Sequence, residues 1–225
     1  MSALSCILLG YLVGGINPAY IVGRLKGFDI RKRGSGNAGA SNAVIVMGKK
    51  IGLISALFDI FKAFFVVCLS SHLFSDLVYA KVLAGVSCIL GHIFPIFMRF
   101  KGGKGLACLG GLILGYDWRL FVIMLGAEFL IALLVDYICV VPMTASVAFP
   151  VIYAVQTHDV IGTFVLLGCA VVILAKHIEN LQRIRNGTEA HFSFLWKREK
   201  EIERLGGDPM EKENAVENSD AESFE

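Results

Sequence analysis

A basic, glycine-rich segment at residues 31–42 holds the side chains best suited to binding a phosphate group. It has the sequence RKRGSGNAGASN and lies between two long apolar runs. Glycine has no Cβ atom, so the backbone amides of Gly34, Gly36 and Gly39 can turn toward an anion and approach it closely. The segment is therefore predicted to bind phosphate. Its other donors and cations are Ser35, Asn37, Ser41, Asn42, Arg31, Lys32 and Arg33.

Two other interpretations apply to these residues. Gly34, Gly36 and Gly39 match the G-x-G-x-x-G pattern of dinucleotide-binding folds, but that pattern requires a preceding strand within a βαβ unit. Here a charged triplet precedes the glycines, and the chain does not alternate strands with helices, so we exclude a dinucleotide site. A plain interhelical loop whose cations lie near lipid phosphates is the remaining alternative.

A second cationic, glycine-bearing segment lies at residues 91–105, with the sequence GHIFPIFMRFKGGKG. Lys104 stands between glycines, which suits a phosphate monoester, but Gly105 replaces the Ser or Thr of a Walker A motif. A positive anchor at the membrane surface is the alternative. His92 is expected to cap or bridge backbone groups where Pro95 ends the helix. The other candidate binding residues are Lys101, Gly102 and Gly103.

A third polar segment, KHIENLQRIRNGTE, occupies residues 176–189. His177 and Asn180 are three residues apart and so share one face of a helix. An imidazole and an amide on that face can orient a polyol. A purely structural histidine at a helix end is the alternative.

The composition of the chain predicts that membrane helices position these three segments. The chain has 225 residues, is 56% hydrophobic and has a mean hydropathy of +0.67, which predicts an all-α membrane protein. We expect a bundle of about seven transmembrane helices. The fourth is shorter than the ~20 residues that a membrane span requires, so its neighbours must shield it. The predicted spans are residues 2–22, 51–74, 78–97, 106–116, 118–135, 139–156 and 160–175.

Most lysines and arginines fall in three alternate segments between or after these spans. Because cytoplasmic loops retain positive residues, this predicts an N-terminus outside and a cytoplasmic C-terminus. The three polar segments then lie on one face and can meet at a single site. Residues 1–196 are expected to form the membrane domain. Residues 197–225 are acidic and are expected to be a disordered cytoplasmic tail.

Several polar residues lie inside the apolar runs. Asp59 and Lys62 are three residues apart, and a structural ion pair is favoured over a pair that points into the site. Glu128 is expected to have a polar partner on another helix. Asn17 and Pro18 predict an irregularity in the first span.

Together these motifs resemble the bacterial acyl-phosphate:glycerol-3-phosphate acyltransferases, the PlsY family. GSGNAGASN from Gly34, GHIFPIFMRFKGGKG from Gly91, and the H-x-x-N…G-T-E pattern from His177 to Glu189 occur in the family's order and spacing. Asp59 and Lys62 look like the family's D-x-x-K. The similarity covers about residues 1–190, and the acidic tail lies outside it.

The resemblance implies a seven-helix enzyme in the bacterial inner membrane whose site faces the cytoplasm. It would transfer a fatty acyl group from acyl phosphate to the 1-hydroxyl of glycerol 3-phosphate, giving lysophosphatidic acid and phosphate. Membrane lipids are the expected surroundings. We expect no metal, no organic cofactor and no nucleic-acid partner.

The resemblance also suggests roles for particular residues. Ser35 and Lys104 would bind the phosphate of glycerol 3-phosphate, while His177 and Asn180 would orient the glycerol hydroxyls. Amides of the two glycine loops would hold acyl phosphate and the oxyanion. Either His177 or the departing phosphate takes the proton. The residues assigned to substrate binding are Gly34, Gly36, Asn37, Gly39, Ser41, Asn42, Lys101, Gly102, Gly103, Gly105 and Glu189.

One position departs from the family pattern. Family members commonly carry an arginine three residues after the asparagine of the first motif, where this chain has Ile45. A divergent paralogue with an altered acceptor or a lipid-binding role is therefore an alternative, as is a transporter of a phosphorylated solute. The cations proposed to compensate are Arg31, Arg33, Lys49 and Lys50.

Overall fold

The computed structural model describes residues 2–195, and every regular element in that range is helical. The predicted acidic tail, residues 197–225, lies outside the described residues. Three short 3₁₀ turns, Ile30–Lys32, Ile96–Met98 and Phe192–Leu195, accompany the helices. The helices are α1 (Ser2–Gly14), α2 (Pro18–Leu25), α3 (Ala40–Met47), α4 (Lys49–Leu73), α5 (Ala80–Ile93), α6 (Leu106–Tyr116), α7 (Trp118–Val135), α8 (Val140–Thr157), α9 (Val160–Lys176) and α10 (Ile178–Arg185).

Six helical stretches in the described part of the chain are long and apolar enough to cross a membrane. Large apolar side chains such as Phe61, Ile123 and Phe164 are exposed on the outside of the bundle, which is the surface that lipid requires. The predicted class, an all-α membrane protein, is confirmed. The six stretches are Ser2–Leu25, Lys49–Leu73, Ala80–Met98, Trp118–Val135, Val140–Thr157 and Val160–Arg185.

The first span is broken where the sequence predicted an irregularity. Asn17 has an extended backbone (φ −122°, ψ 106°) and caps α2, since its Oδ1 accepts from the Tyr20 amide at 2.8 Å. Pro18 begins α2, where its missing N–H is tolerated. The break leaves main-chain carbonyls at the end of α1 without helical partners.

Helix α5 lies at the centre of the bundle and packs against α1, α4, α6 and α9. Glycines allow the closest of these contacts. A Cβ atom on Gly14 would lie 2.1 Å from the Cys88 carbonyl oxygen, and one on Gly91 would lie 2.1 Å from that of Tyr11. Small residues at such crossings let the backbones of membrane helices approach closely.

A polar contact joins α7 to α8. The Thr144 hydroxyl donates to Glu128 Oε2 at 2.5 Å, and the Glu128 side chain is buried. The predicted polar partner for Glu128 is thereby confirmed.

Candidate active site

The three polar segments meet at one end of the bundle. We call residues 33–39 loop 1 and residues 99–105 loop 2. The Ala38 amide of loop 1 donates to the Gly102 carbonyl of loop 2 at 3.3 Å. Lys104 of loop 2 donates through Nζ to Asn180 Oδ1 on α10. The structure therefore brings together segments that are separated by more than 60 residues in sequence.

Arg31 fastens the segment before loop 1 to loop 2. One of its terminal nitrogens, Nη1, donates to the Met98 carbonyl at 2.6 Å and to the Lys101 carbonyl at 3.3 Å. Its Nε and Nη2 atoms donate to the Asp29 carboxylate at 2.9 and 2.7 Å. The hydrogen bonds from Arg31 lower the pKa of Asp29 to about 2. Arg31 thus joins the segment before loop 1 to loop 2, and its proposed compensation for Ile45 stays a prediction.

Asn42 organises the inside of loop 1. Its side chain is 0% exposed, and its Oδ1 accepts from the Ser35 amide at 2.7 Å. Its Nδ2 contacts the carbonyls of Ile30, Arg33 and Asn37 at 3.1, 3.1 and 2.7 Å. Every polar atom of its side chain is thus engaged within the protein, so Asn42 holds loop 1 together, and its contact with substrate stays a prediction.

Most of the glycine amides that were predicted to hold an anion are also engaged. An N–H group that already donates within the protein must break that bond before it can bind a phosphate, so the amide cradle stays a prediction. The engaged amides are Gly36 to the Arg33 carbonyl at 3.1 Å, Gly39 to Asn37 Oδ1 at 2.8 Å, Gly102 to the Ile93 carbonyl at 3.0 Å and Gly103 to the His92 carbonyl at 3.1 Å.

Three glycines of the two loops are required by backbone conformation. Gly34 (φ +57°), Gly36 (φ +78°) and Gly105 (φ +92°) occupy the left-handed region that strains other residues. In addition, a Cβ on Gly34 would lie 2.2 Å from Asn42 Oδ1. Their part in the site is thus to shape the loops.

Side-chain donors remain at the surface of loop 1. Ser35 in loop 1 and Ser41 in the first turn of α3 are exposed. Asn37 donates through Nδ2 to Ser35 Oγ at 2.8 Å. Because the Ser35 hydroxyl accepts from Asn37, its own proton can be donated to a ligand.

A chain of hydrogen bonds orients the polar groups of α10. Asn180 accepts from Lys104 through Oδ1 and donates through Nδ2 to Glu189 Oε1 at 2.6 Å. Arg183 donates through Nε to Glu189 Oε2 at 2.6 Å. Glu189 thereby sets the direction of the Asn180 amide, so that its oxygen faces Lys104. Burial and the nearby Arg183 guanidinium lower the pKa of Lys104.

Arg183 is a site residue that the sequence analysis did not select. It follows Asn180 by three residues on α10, so the helical spacing that singled out His177 and Asn180 could have included it. It brings a second cation close to Lys104.

The segment that carries Glu189 is anchored to the end of α7. The Phe192 amide donates to the Asp136 carbonyl at 2.7 Å, and the Ser193 amide donates to Asp136 Oδ1 at 2.7 Å. The Ser193 hydroxyl donates to the other carboxylate oxygen at 3.0 Å. Glu189 is therefore held by its own bonds to α10 and by the bonds that tie the following residues to α7.

His177 lies at the junction of α9 and α10 and is 3% exposed. Its Nδ1 lies 2.8 Å from the Ile173 carbonyl oxygen. A carbonyl can only accept, so this contact places a proton on Nδ1. In the neutral imidazole, Nε2 is then left as an acceptor or base.

A cavity of about 580 Å³ lies between loop 2 and α9. Lys101 and Lys104 of loop 2 lie in one wall, and apolar residues of α9, which the sequence did not single out, form another. Lys176 and Phe94 also line the cavity, and the Nζ atom of Lys176 lies over the Phe94 ring, 4.6 Å from its centre. His177 and Asn180 are buried and lie outside the lining set. The lining residues are Gly36, Asn37, Phe94, Lys101, Gly102, Gly103, Lys104, Val171, Val172, Ala175, Lys176 and Glu179.

The fold and the cavity define an integral membrane protein with a basic, glycine-lined site beside a lipid-facing helix. The family model described as glycerol-3-phosphate acyltransferase matches residues 4–187. The chain belongs to this family, as the motifs predicted.

Individual relatives agree with this assignment. The glycerol-3-phosphate acyltransferase of Bacillus subtilis (strain 168) is 38% identical over 190 residues, covering 84% of this chain and 97% of the relative. Glycerol-3-phosphate acyltransferase 2 of Thermotoga maritima is 37% identical over 195 residues, covering 85% of this chain and 96% of the relative.

Two crystal structures of PlsY (YgiH), an integral membrane glycerol 3-phosphate acyltransferase, have the same fold. The glycerol 3-phosphate form superposes with a TM-score of 0.79 at 30% identity, covering 87% of this chain and 98% of that one. The lysophosphatidic acid form has a TM-score of 0.76 at 29% identity, covering 87% and 97%.

Proposed function

We propose that this protein transfers a fatty acyl group from acyl phosphate to the 1-hydroxyl of glycerol 3-phosphate. The hydroxyl oxygen bonds to the acyl carbon, the bond from that carbon to the phosphate oxygen breaks, and inorganic phosphate leaves. The products are lysophosphatidic acid and phosphate. The observation that carries this proposal is the cavity, which has a cationic glycine loop on one wall and an apolar membrane helix on the other.

The cationic side of the site suits the acceptor. Lys104 of loop 2 supplies an ammonium group, and the exposed Ser35 hydroxyl of loop 1 supplies a second donor. Arg183 adds positive charge near Lys104, and charge-assisted bonds to phosphate are stronger than neutral ones. Helix α6 begins two residues after Lys104, so the positive end of its dipole adds to the attraction for a phosphate.

The apolar side suits the donor. Val172 and Ala175 line the cavity, and neighbouring Val171 is 66% exposed on the lipid side of α9. An acyl chain lying along α9 would remain among lipid tails while its phosphate reaches loop 2. Acyl phosphate is a mixed anhydride with a good leaving group, so alignment and charge stabilisation are the main requirements.

In this proposal each site residue has a separate role in the reaction. Lys104 and Ser35 hold the glycerol phosphate, Asn180 positions the Lys104 ammonium through its amide oxygen, and Nε2 of His177 accepts from the attacking hydroxyl. The proton then passes either to His177 or to the departing phosphate.

We further propose that α6 also crosses the membrane, giving seven spans. It has 11 residues, a length of about 17 Å at the usual rise per residue. Its contacts with α4, α5, α7 and α8 support the proposal, because they shield it from lipid. The N-terminus then lies outside, and the site and the acidic residues 197–225 face the cytoplasm of a bacterial inner membrane.

Product formation in lipid vesicles tests the proposed function. The purified full-length protein is supplied with palmitoyl phosphate and labelled glycerol 3-phosphate, and labelled lysophosphatidic acid is the expected product. Binding of both compounds without turnover would instead indicate a lipid-binding paralogue. Uptake of unaltered labelled glycerol 3-phosphate into the vesicles would indicate a transporter.

Ile45→Arg is expected to lower the KM for glycerol 3-phosphate. Ile45 is half-exposed on α3, directly after loop 1, and an arginine there would restore the cation usual in the family. A charge-assisted hydrogen bond contributes roughly 1.5 to 3 kcal/mol, so KM should fall about 10- to 100-fold. Ile45→Gln, which adds polarity without charge, is the control. An unchanged KM in both variants would mean that this position does not reach the phosphate.

Arg183→Met is expected to shift the pH dependence of acceptor binding. The lowered pKa of Lys104 means that its ammonium loses a proton at a lower pH than an ordinary lysine, so the KM for glycerol 3-phosphate should rise early at alkaline pH. Removing the neighbouring guanidinium raises the pKa of Lys104 and moves this rise to higher pH. KM measured across alkaline pH checks the shift. Arg185→Met, an exposed change on the same helix, should leave the profile in place, and equal profiles for Arg183→Met and wild type would contradict the prediction.

A further inference from the structure

A cluster of ionisable side chains is buried at the centre of the bundle. Lys62 Nζ on α4 lies 2.6 Å from Asp59 Oδ1 and 3.2 Å from His92 Nδ1 on α5. All three residues are at most 3% exposed. The predicted ion pair between Asp59 and Lys62 is confirmed, and we call the three residues the buried ion cluster. Burying charges at this depth is costly, so the cluster calls for an explanation beyond helix packing.

The lysine ammonium is the cation of this cluster. Potential metal-ligand atoms of Asp59, His92 and Cys108 lie within 4.8 Å of one another. The Lys62 ammonium already contacts two of these three residues, however, and a second cation would be repelled at such short range. The cluster is therefore built around the ammonium of Lys62.

On one side, Lys62 closes the break between α1 and α2. Its Nζ donates to the carbonyls of Gly14 at 2.9 Å and Ile16 at 2.6 Å. Neither carbonyl has its usual partner four residues on. Pro18 has no N–H, and the Tyr20 amide donates to Asn17 instead.

This break is tied directly to loop 1. The Nδ2 of Asn17 donates to the Ala38 carbonyl at 2.8 Å, and both groups are buried. The position of loop 1 therefore depends on the backbone segment that Lys62 holds.

On the other side, the cluster supports loop 2. The Gly103 amide donates to the His92 carbonyl at 3.1 Å. The imidazole lies against the same glycine, since a Cβ on Gly103 would be 2.1 Å from His92 Nε2. Lys104 is the next residue, so its position depends on the contact between Gly103 and His92.

We propose that Lys62 and Asp59 are positioning residues that set the distance between loop 1 and Lys104. The Lys62 ammonium donates to the carbonyls of Gly14 and Ile16, in the segment that holds loop 1. The same ammonium contacts His92, on which loop 2 packs. Asp59 fixes that ammonium and balances its charge. This inference rests on the proposed function, because it assumes that Lys104 and loop 1 grip one substrate together.

Lys62→Met tests the proposal, with Glu128→Gln as the matched control. Both residues are buried and ionisable within the membrane bundle, but Glu128 contacts Thr144 on α8 and no part of either loop that the structure describes. A mispositioned loop raises the KM for glycerol 3-phosphate and lowers kcat. Lys62→Met should reduce kcat/KM about 10- to 100-fold, the cost of a displacement near 1 Å, while the KM for palmitoyl phosphate and all constants of Glu128→Gln stay at wild-type values.

A second variant separates positioning from stability. Asp59→Asn combined with Lys62→Met removes both charges, which avoids leaving one of them buried alone. It should still fold, with a melting temperature lowered because the carbonyls of Gly14 and Ile16 lose their donor, and it should show the raised KM for glycerol 3-phosphate. A stability defect alone would lower apparent kcat in proportion to the folded fraction and leave KM unchanged.

Amide hydrogen exchange gives a measurement that does not depend on activity. The amides of Gly102 and Gly103 should exchange faster in the double variant than in wild type, and at the wild-type rate in Glu128→Gln. Wild-type exchange together with a wild-type KM in the folded double variant would overturn the proposal. If the wild-type protein forms no product, the proposed function fails, and the exchange rates alone decide whether the cluster positions loop 2.

Discussion

Lys104→Met should reduce kcat/KM for glycerol 3-phosphate about 100- to 1,000-fold, the range measured when one preorganised charge-stabilising donor is removed. Methionine keeps the length and apolar stem of lysine but cannot bond a phosphate. The loss should be large because the Lys104 ammonium lies in the cavity and is held there by Asn180. Formation of labelled lysophosphatidic acid in vesicles provides the measurement.

Lys101→Met is the matched control for that experiment. Lys101 lies in the same loop and lines the same cavity, but its side chain is exposed. The bond from Arg31 goes to the main-chain carbonyl of Lys101, which the substitution keeps. Its loss should therefore change kcat/KM much less. Equal losses in the two variants would show that loop 2 acts through its overall charge, and would contradict a particular role for Lys104.

His177→Gln should lower kcat about 100-fold or more, as expected for removal of a positioned general base. Glutamine can still form hydrogen bonds, but it cannot take a proton. Wild-type activity should fall on the acid side, because a protonated imidazole has no acceptor at Nε2. The residual activity of His177→Gln should lack that acid limb. The measurement is kcat against pH with both substrates saturating.

His72→Gln serves as the control histidine, since His72 is exposed in the last turn of α4. It should keep both the wild-type rate and the wild-type pH profile. If His177→Gln retained high activity with a normal acid limb, His177 would not be the base. The departing phosphate would then be the group that takes the proton.

The sequence was sufficient for the features that depend on local residues. Long apolar runs predicted the membrane class and the short α6, because membrane crossing depends on length and hydropathy. Asn17 and Pro18 predicted the break after α1, because a missing N–H and a capping side chain act within one turn. Helix α3, which begins at Ala40, was not expected so soon after the glycines of loop 1.

Features that depend on distant partners could not be predicted in the same way. The sequence shows which groups can donate a hydrogen bond, but not which acceptors the fold brings within reach. Asn42 was therefore taken for a substrate ligand, although its bonds hold loop 1 together. Arg31 was considered as a spare cation, although it reaches across to Met98 and Lys101. The apolar wall on α9 became visible only when α9 was placed beside loop 2.

The internal bonding of the two loops has a consequence for the rate of substrate association. A phosphate-binding loop that becomes ordered only around its ligand loses roughly 1 to 2 kcal/mol of backbone entropy for each residue fixed. Here the amides of Gly36, Gly39, Gly102 and Gly103 already have partners before any substrate arrives. Binding then needs no slow folding step, and acceptor capture should be governed by diffusion and by the positive charge around the cavity.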